Sequence, residues 1–130
     1  MKKTPILEFE SSAFASVAGE DEATNPGVFG KALAQSLANR LRLAGVAAGE
    51  VIAEDFGWVI PVKSEPYSLF VACSSGETPN AWMVFAFAEG GLMSRLLGRD
   101  QSGAALESLY VSVRLSLEAD SGVHGLREQA

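Results

Sequence analysis

Apolar residues recur at helical spacing between residues 26 and 44. With each residue turned about 100° from the one before it, these side chains fall on one face and polar side chains on the other. The apolar face carries Phe29, Leu33, Leu37, Leu41 and Ala44. Asn25 and Pro26 are typical of a helix start, and Gly45 can supply the left-handed residue after a helix end. The pattern therefore predicts a helix from Pro26 to Ala44.

Three apolar segments of strand length follow this helix, separated by short tracts that contain glycine or proline. They span residues 56–62, 67–73 and 82–87. Short connections of this kind join antiparallel neighbours, so the three segments predict a β-meander. Pro61 cannot donate a hydrogen bond to a neighbouring strand, so the first strand is expected at an edge or with a bulge at this residue. A further short strand is predicted at residues 5–9.

The segment 109–117 fits two templates. Its apolar residues alternate as in a half-buried strand, and they also form a stripe at helical spacing. Strong helix formers flank the segment on both sides, which favours the helix. We therefore predict a second helix, with Ser102 as its cap.

Two apolar positions of this second helix lie outside its buried stripe. They are Val111 and Leu115, with Ala104 on the same side. In the preceding segment, apolar residues recur at helical spacing and predict a short helical turn: Leu92, Met93, Leu96 and Leu97. Exposed together, these residues would form a surface for self-association or for a partner. Alternatively, the segment that holds Met93 and Leu97 covers the helix.

The composition fits one globular domain that spans residues 1–130, because 48% of the residues are hydrophobic and 20% are charged. The elements in order are β-α-β-β-β-α, with a short final strand. The predicted fold is α+β in two layers, with an antiparallel β-meander and both main helices packed on one of its faces.

The charge and the rare residues exclude several classes of function. There are 10 Lys and Arg residues against 16 Asp and Glu residues, for a net charge of −6. This acidity disfavours nucleic-acid and membrane partners. One cysteine, Cys73, and one histidine, His124, provide neither an intramolecular disulfide nor a histidine pair for zinc, so we expect no metal and no cofactor. The lone thiol and the early charged residues predict a cytoplasmic protein without a signal peptide.

Two acids, a glycine and two aromatic residues stand together from Glu54 to Trp58. They could line a polar-rimmed aromatic cleft, with Glu54, Asp55 and Trp58 as binding residues. The favoured alternative is that Phe56 and Trp58 pack in the core on one strand face while the acids solvate a turn. Adjacent strand residues point to opposite faces, which makes the two acids a weak acid/base pair. We therefore assign no catalytic residue.

Arg40 falls inside the apolar arc of the first helix. The favoured interpretation is that its stem lies along the helix and its guanidinium reaches water. The alternative is that the guanidinium turns inward to an acid such as Glu54 or Asp55. Arg40 is therefore a candidate binding residue.

Three motifs lie along the chain: NPG at 25–27, GKALA at 30–34 and EDFGW at 54–58. A fourth tract, 117–127, combines an acidic stretch with Val123 and Leu126. With these tracts the chain resembles a group of small, uncharacterised bacterial cytoplasmic proteins. The resemblance implies that the acidic stretch closes a helix and that a last strand lies near 123–127. It implies no activity.

These observations favour a non-enzymatic protein that binds a partner, as an accessory, chaperone-like or immunity-like protein does. The partner is expected to be another protein or a second copy of the chain. The acids at Glu20–Glu22 and Glu54–Asp55 are the expected partner-facing acids. The alternative function is a small-molecule-binding protein or a hydrolytic enzyme that uses a cleft near Glu54, Asp55 and Trp58.

Overall fold

The structure is a computed structural model that describes residues 2–89 and 102–129. The candidate residues Met93 and Leu97 lie outside the described residues. The strands are β1 (Lys2–Lys3), β2 (Leu7–Glu10), β3 (Ile52–Glu54), β4 (Gly57–Ser64), β5 (Tyr67–Ser75), β6 (Ala81–Glu89) and β7 (His124–Glu128). The helices are α1 (Lys31–Leu43) and α2 (Gly103–Glu118).

The strands form one antiparallel sheet in the order β3-β4-β5-β6-β2-β7, and β1 pairs with β6. The predicted meander is confirmed as β4, β5 and β6, which pair over most of their lengths. Pro61 lies beyond the part of β4 that pairs with β3. A loop runs beside it there, and the Gly49 N–H donates to the Pro61 carbonyl at 2.7 Å. On that side of β4 no described strand pairs at Pro61, so the missing N–H of the proline breaks no strand pairing.

Both helices pack on the same face of the sheet, which confirms the predicted α+β fold. Alternate residues of the strands meet the apolar stripes of α1 and α2 in one core. Its largest fully buried side chains include Leu7, Phe9, Leu33, Leu37, Leu41, Ile60, Leu69 and Val71. The two-layer core therefore uses only one side of each strand.

Helix α1 begins at Lys31, so the predicted start at Pro26 is wrong. The Glu20 carboxylate explains the later start, because its Oε2 accepts the backbone N–H groups of Gly30 at 2.9 Å and of Lys31 at 3.1 Å. The Asn25 N–H instead donates to the Asp55 carbonyl at 3.0 Å. A side chain distant in sequence thus satisfies the free N–H groups that a local cap would satisfy.

The segment 109–117 is helical, as predicted, and lies inside α2. Ser102 directly precedes this helix, but its side chain makes no capping hydrogen bond. The last strand is present as β7. The Tyr110 hydroxyl donates a short hydrogen bond to Glu128, and Arg114 Nη1 donates to the same carboxylate at 3.0 Å. Helix α2 is therefore tied to the final strand by polar contacts.

Candidate functional site

The sheet face opposite the helices is apolar along its central strands. We call it the open face, defined by Val59, Phe70, Ala72, Phe85 and Phe87 on β4, β5 and β6. Val59, Ala72 and Phe87 form a second buried cluster, against which Phe70 and Phe85 pack. Among residues 2–89 and 102–129, no helix packs on this cluster. The sheet is therefore apolar on both faces, although only one face carries the described helices.

Four phenylalanine rings converge on the open face. The rings of Phe70 and Phe87 stack with their centroids 5.1 Å apart. Phe85 and Phe56 contact Phe87 at centroid distances of 6.0 Å and 6.2 Å, the latter with an interplanar angle of 69°. Offset and edge-on contacts of this kind stabilise aromatic clusters beyond simple burial. Phe56 is nevertheless 47% exposed, so part of the cluster is accessible.

A cleft of about 330 Å³ runs over these rings. Its described lining residues are Glu54, Phe56, Val59, Phe70, Phe85, Phe87 and Glu89. Glu54 pairs with Gly57, at the start of β4, and Glu89 pairs with Ser68, near the start of β5. Because β4 and β5 are antiparallel, the two acids lie toward opposite ends of the cleft. The site is thus an aromatic floor with one carboxylate at each end.

The turn between β3 and β4 places Phe56 on this face. Gly57 follows the turn with φ of 153°, a value that residues with a side chain rarely adopt. A Cβ atom at this position would lie 2.5 Å from the Cys73 carbonyl oxygen. The glycine therefore allows β4 to start close against β5, with Phe56 on the open face and Trp58 in the helix-side core. The expectation that these two aromatic residues share a strand face is wrong.

Trp58 lies in the core beneath the helices and is only 7% exposed. The Nζ atom of Lys31, at the start of α1, stands 5.3 Å from the centroid of the Trp58 ring. The Trp58 indole N–H has no hydrogen-bond partner in the described part of the chain. The sheet therefore separates Trp58 from the cleft that contains Glu54.

Asp55 lies exposed in the turn, and its backbone carbonyl accepts the Asn25 N–H. Of the predicted trio Glu54, Asp55 and Trp58, only Glu54 lines the cleft. The cleft predicted from these three residues is not assembled, because one points into the core and one stands in the turn.

Arg40 pairs with neither of the acids that the sequence suggested. Its Nη2 atom lies 3.6 Å from Asp120 Oδ2, and its side chain is 39% exposed. Asp120 follows α2, so this ion pair joins the ends of the two helices. The guanidinium of Arg40 thus pairs with an acid other than the two suggested, and Arg40 is not among the described residues that line the cleft.

The acidic stretch Glu20–Glu22 does not face outward as a unit. Glu20 is buried against the start of α1, and Asp21 Oδ2 accepts the Gly27 N–H at 2.8 Å. Glu22 is exposed. The expectation that these three acids face a partner is therefore wrong for Glu20, which organises the loop instead.

The predicted outer positions of α2 are exposed. Val111 is 47% exposed and Leu115 is 60% exposed, and Ala104 is also at the surface. Val113 and Leu109, on the buried stripe, are covered by the core. A role for Val111 and Leu115 in association stays a prediction.

The cysteine and the histidine, Cys73 and His124, are not among the described residues that line the cleft. Cys73 is fully buried, and this burial raises the pKa of its thiol well above the usual range. His124 is exposed on β7. In residues 2–89 and 102–129 there is no group of three or more side chains suited to bind a metal ion. The helices in these ranges are too short or too polar to cross a membrane.

The residue pattern of the strands indicates that the second face of the sheet is also apolar. A sheet with one face in water shows alternating apolar and polar residues, whereas residues 69–73 and 82–88 are almost continuously apolar. Such runs are typical of strands that are apolar on both faces. Phe70, Phe85 and Phe87 could therefore have been identified as the second face of the sheet.

Comparisons of the chain with models of protein families, with curated proteins and with solved structures give no match. Its function is therefore inferred from the cleft and the open face.

Proposed function

We propose that this protein binds another protein through the open face and does not act on its partner as an enzyme. The observation that carries the proposal is the phenylalanine cleft. Apolar residues that are exposed or partly exposed together, as Phe56, Phe70 and Phe85 are, are typical of interaction sites, and aromatic residues are enriched in the centres of such sites. Phe56 is the natural anchor, because it is half exposed and already held by the Phe87 ring.

The energetics support a docking role. Full burial of a phenylalanine side chain contributes about 1.5–3 kcal/mol relative to exposure in water. A partner that covers Phe56 and the partly exposed Phe70 and Phe85 would gain a fraction of this at each ring. The rings also contact one another, so little side-chain entropy is lost when they are covered. The cleft is therefore both apolar and pre-ordered.

A small apolar ligand is the second candidate occupant. The cleft volume of about 330 Å³ lies at the lower end of the range for small-molecule sites. A hydrolytic role is less well supported, because Glu54 and Glu89 lie toward opposite ends of the cleft. General acid and base groups must both reach one substrate atom or a shared water.

The proposal places the protein in the cytoplasm, in a bacterium, as an accessory, chaperone-like or immunity-like protein. A lone unpaired thiol suits a reducing compartment. The resemblance of the NPG, GKALA and EDFGW motifs to small bacterial proteins supports the same assignment. A homodimer through Val111 and Leu115 of α2 is compatible with it, since that helix lies on the other side of the sheet.

Parallel co-purification of tagged variants from native cells tests the proposal. The wild-type protein and a Val17→Ser control are expected to retain the same partner, because Val17 is 65% exposed and lies outside the cleft. A Phe56→Ser/Phe70→Ser variant is expected to lose that partner while remaining folded by circular dichroism. A wild-type chain that elutes alone, or a folded double variant that keeps the partner, would overturn the proposal.

A further inference from the structure

We infer that the cleft accepts a protein segment with a basic side chain, arginine or lysine, flanked by apolar residues. This inference rests on the proposed function and adds the chemistry of the partner. The basic group would lie over the phenylalanine rings and pair with the carboxylate at one end of the cleft, Glu54 or Glu89.

The first support is that the two cleft acids have no ionic partner among the described residues, whereas acids elsewhere on the same face have one. Arg127 Nη1 lies 2.9 Å from Glu10 Oε2, and its Nη2 lies 4.0 Å from Glu8 Oε2. Within residues 2–89 and 102–129, no ion pair includes Glu54 or Glu89. On the β2–β7 side one guanidinium thus pairs with two acids, whereas on the cleft side no described cation pairs with Glu54 or Glu89.

The second support is the aromatic floor. Cations are attracted to the faces of aromatic rings, and a guanidinium group also stacks on them. The chain already shows this preference at the border of the cleft, where Lys3 Nζ stands 5.9 Å from the centroid of the Phe85 ring. A second cation from a partner would meet the same kind of ring beside a carboxylate.

The third support is the cost of covering the cleft with any other group. A purely apolar segment would remove water from Glu54 and Glu89 without offering a hydrogen-bond donor, and burial of an unpaired charge is unfavourable. An acidic segment would add repulsion. A basic segment avoids both costs while its apolar neighbours cover the rings.

The surrounding charge favours the same partner over a longer range. Residues 45–89 contain six acidic residues and one lysine, within a chain of net charge −6. A chain of net negative charge attracts positively charged partners and raises their association rate. The net negative charge of the chain and the carboxylates of the cleft therefore both favour a positively charged partner.

Three matched probe peptides test the inference by fluorescence anisotropy with the full chain. Each has leucine and valine residues around a central position and serines at both ends. The centre is arginine, its uncharged isostere citrulline, or glutamate. We expect the arginine peptide to bind about two- to fivefold more tightly than the citrulline peptide, the range of one partly exposed ion pair. The glutamate peptide should bind most weakly.

Variants in which glutamine replaces glutamate show which carboxylates cause the preference for arginine. Glu54→Gln/Glu89→Gln should abolish the preference for arginine over citrulline and leave citrulline binding unchanged. Glu50→Gln/Glu77→Gln removes the same charge from exposed acids outside the cleft and should keep the preference. Added salt should weaken only the arginine peptide, because screening acts on charge.

The outcomes separate the two proposals. Equal binding of the arginine and citrulline peptides would overturn the basic partner and leave apolar docking intact. A preference for arginine that survives in the cleft variant would also overturn the inference, because the charges responsible would lie elsewhere. The absence of binding by all three peptides would overturn the cleft as a protein-docking site, and the proposed function with it.

Discussion

The two faces of the sheet consist of similar apolar residues, but described helices cover only one of them. On the helix side, Ile60 and Val71 are fully buried beneath α1 and α2. On the open face, Phe70 and Phe85 cover their neighbours yet stay partly exposed. The same strands therefore provide a folding core on one side and, on the other, the surface that we propose for binding. Apolar character alone does not tell the two apart, because what matters is whether another element covers it.

Truncation of one side chain on each face should give the largest difference in the free energy of unfolding. Leu37→Ala removes a side chain that is 1% exposed in the helix-side core and should lower the free energy of unfolding by about 2–5 kcal/mol. Phe56→Ala on the open face should cost less than about 1 kcal/mol, because nearly half of the side chain is already in water. Urea unfolding followed by circular dichroism measures both values.

Binding should show the reverse order for the same two variants. Phe56→Ala is expected to weaken the arginine probe peptide several-fold, and Leu37→Ala should bind it normally under conditions where the variant is folded. If Phe56→Ala destabilised the fold as much as Leu37→Ala, the open face would be part of the folding core and the contrast would fail.

Gly57 connects the two faces, and its substitution should have the next largest effect. An alanine Cβ would lie 2.5 Å from the Cys73 carbonyl oxygen, on a backbone with φ of 153°. The strand must move, so we expect a loss of about 2–3 kcal/mol in the free energy of unfolding. Phe56 should shift with the strand and weaken binding of the arginine peptide.

A matched glycine substitution isolates this effect. Gly103 begins α2 without a left-handed backbone, and among the described residues its added Cβ would meet Lys2 Nζ, at 3.5 Å, an ordinary van der Waals contact. Gly103→Ala should therefore leave stability unchanged or raise it slightly. A Gly57→Ala chain as stable as this control would show that the close approach of β4 to β5 is not required.

The periodicity of apolar residues predicts the helix layer and the central strands of the sheet, but it does not predict the cleft. The spacing of Leu33, Leu37 and Leu41 predicted the buried stripe of α1, and strand-length apolar runs predicted the meander. The start of α1 could not be predicted from local signals, because Glu20 caps it from outside the Asn25-Pro26 motif.

The location of the cleft depended on a single turn. Strand alternation from Phe56 would place Phe56 and Trp58 on one face, and the structure shows that β4 begins only at Gly57. The backbone of this glycine separates the two aromatic residues, which a residue pattern does not reveal. Glu54 was identified from sequence as a binding residue, but Glu89 was not, since the two meet at one cleft only through strand pairing.

The smallest expected effect concerns the hydrogen bond between Tyr110 of α2 and Glu128 of β7. Burial raises the pKa of Tyr110 to about 12, and the hydrogen bond to Glu128 acts in the same direction. The unfolded chain releases this proton near pH 10. Between about pH 10 and pH 12 the folded state therefore binds more protons than the unfolded state. The contribution of Tyr110 to stability is complete below pH 10 and is lost as the pH rises toward 12.

Tyr110→Phe removes both the contact and this titration. We expect it to lower the free energy of unfolding by about 1 kcal/mol near pH 8, the usual net value of one hydrogen bond. Above pH 10 the difference from the wild type should shrink, which urea unfolding at a series of pH values would show. Tyr67→Phe changes the other tyrosine and should keep the wild-type decline between pH 10 and 12. A constant difference between Tyr110→Phe and wild type across that range would show that the link between α2 and β7 does not depend on the phenol proton.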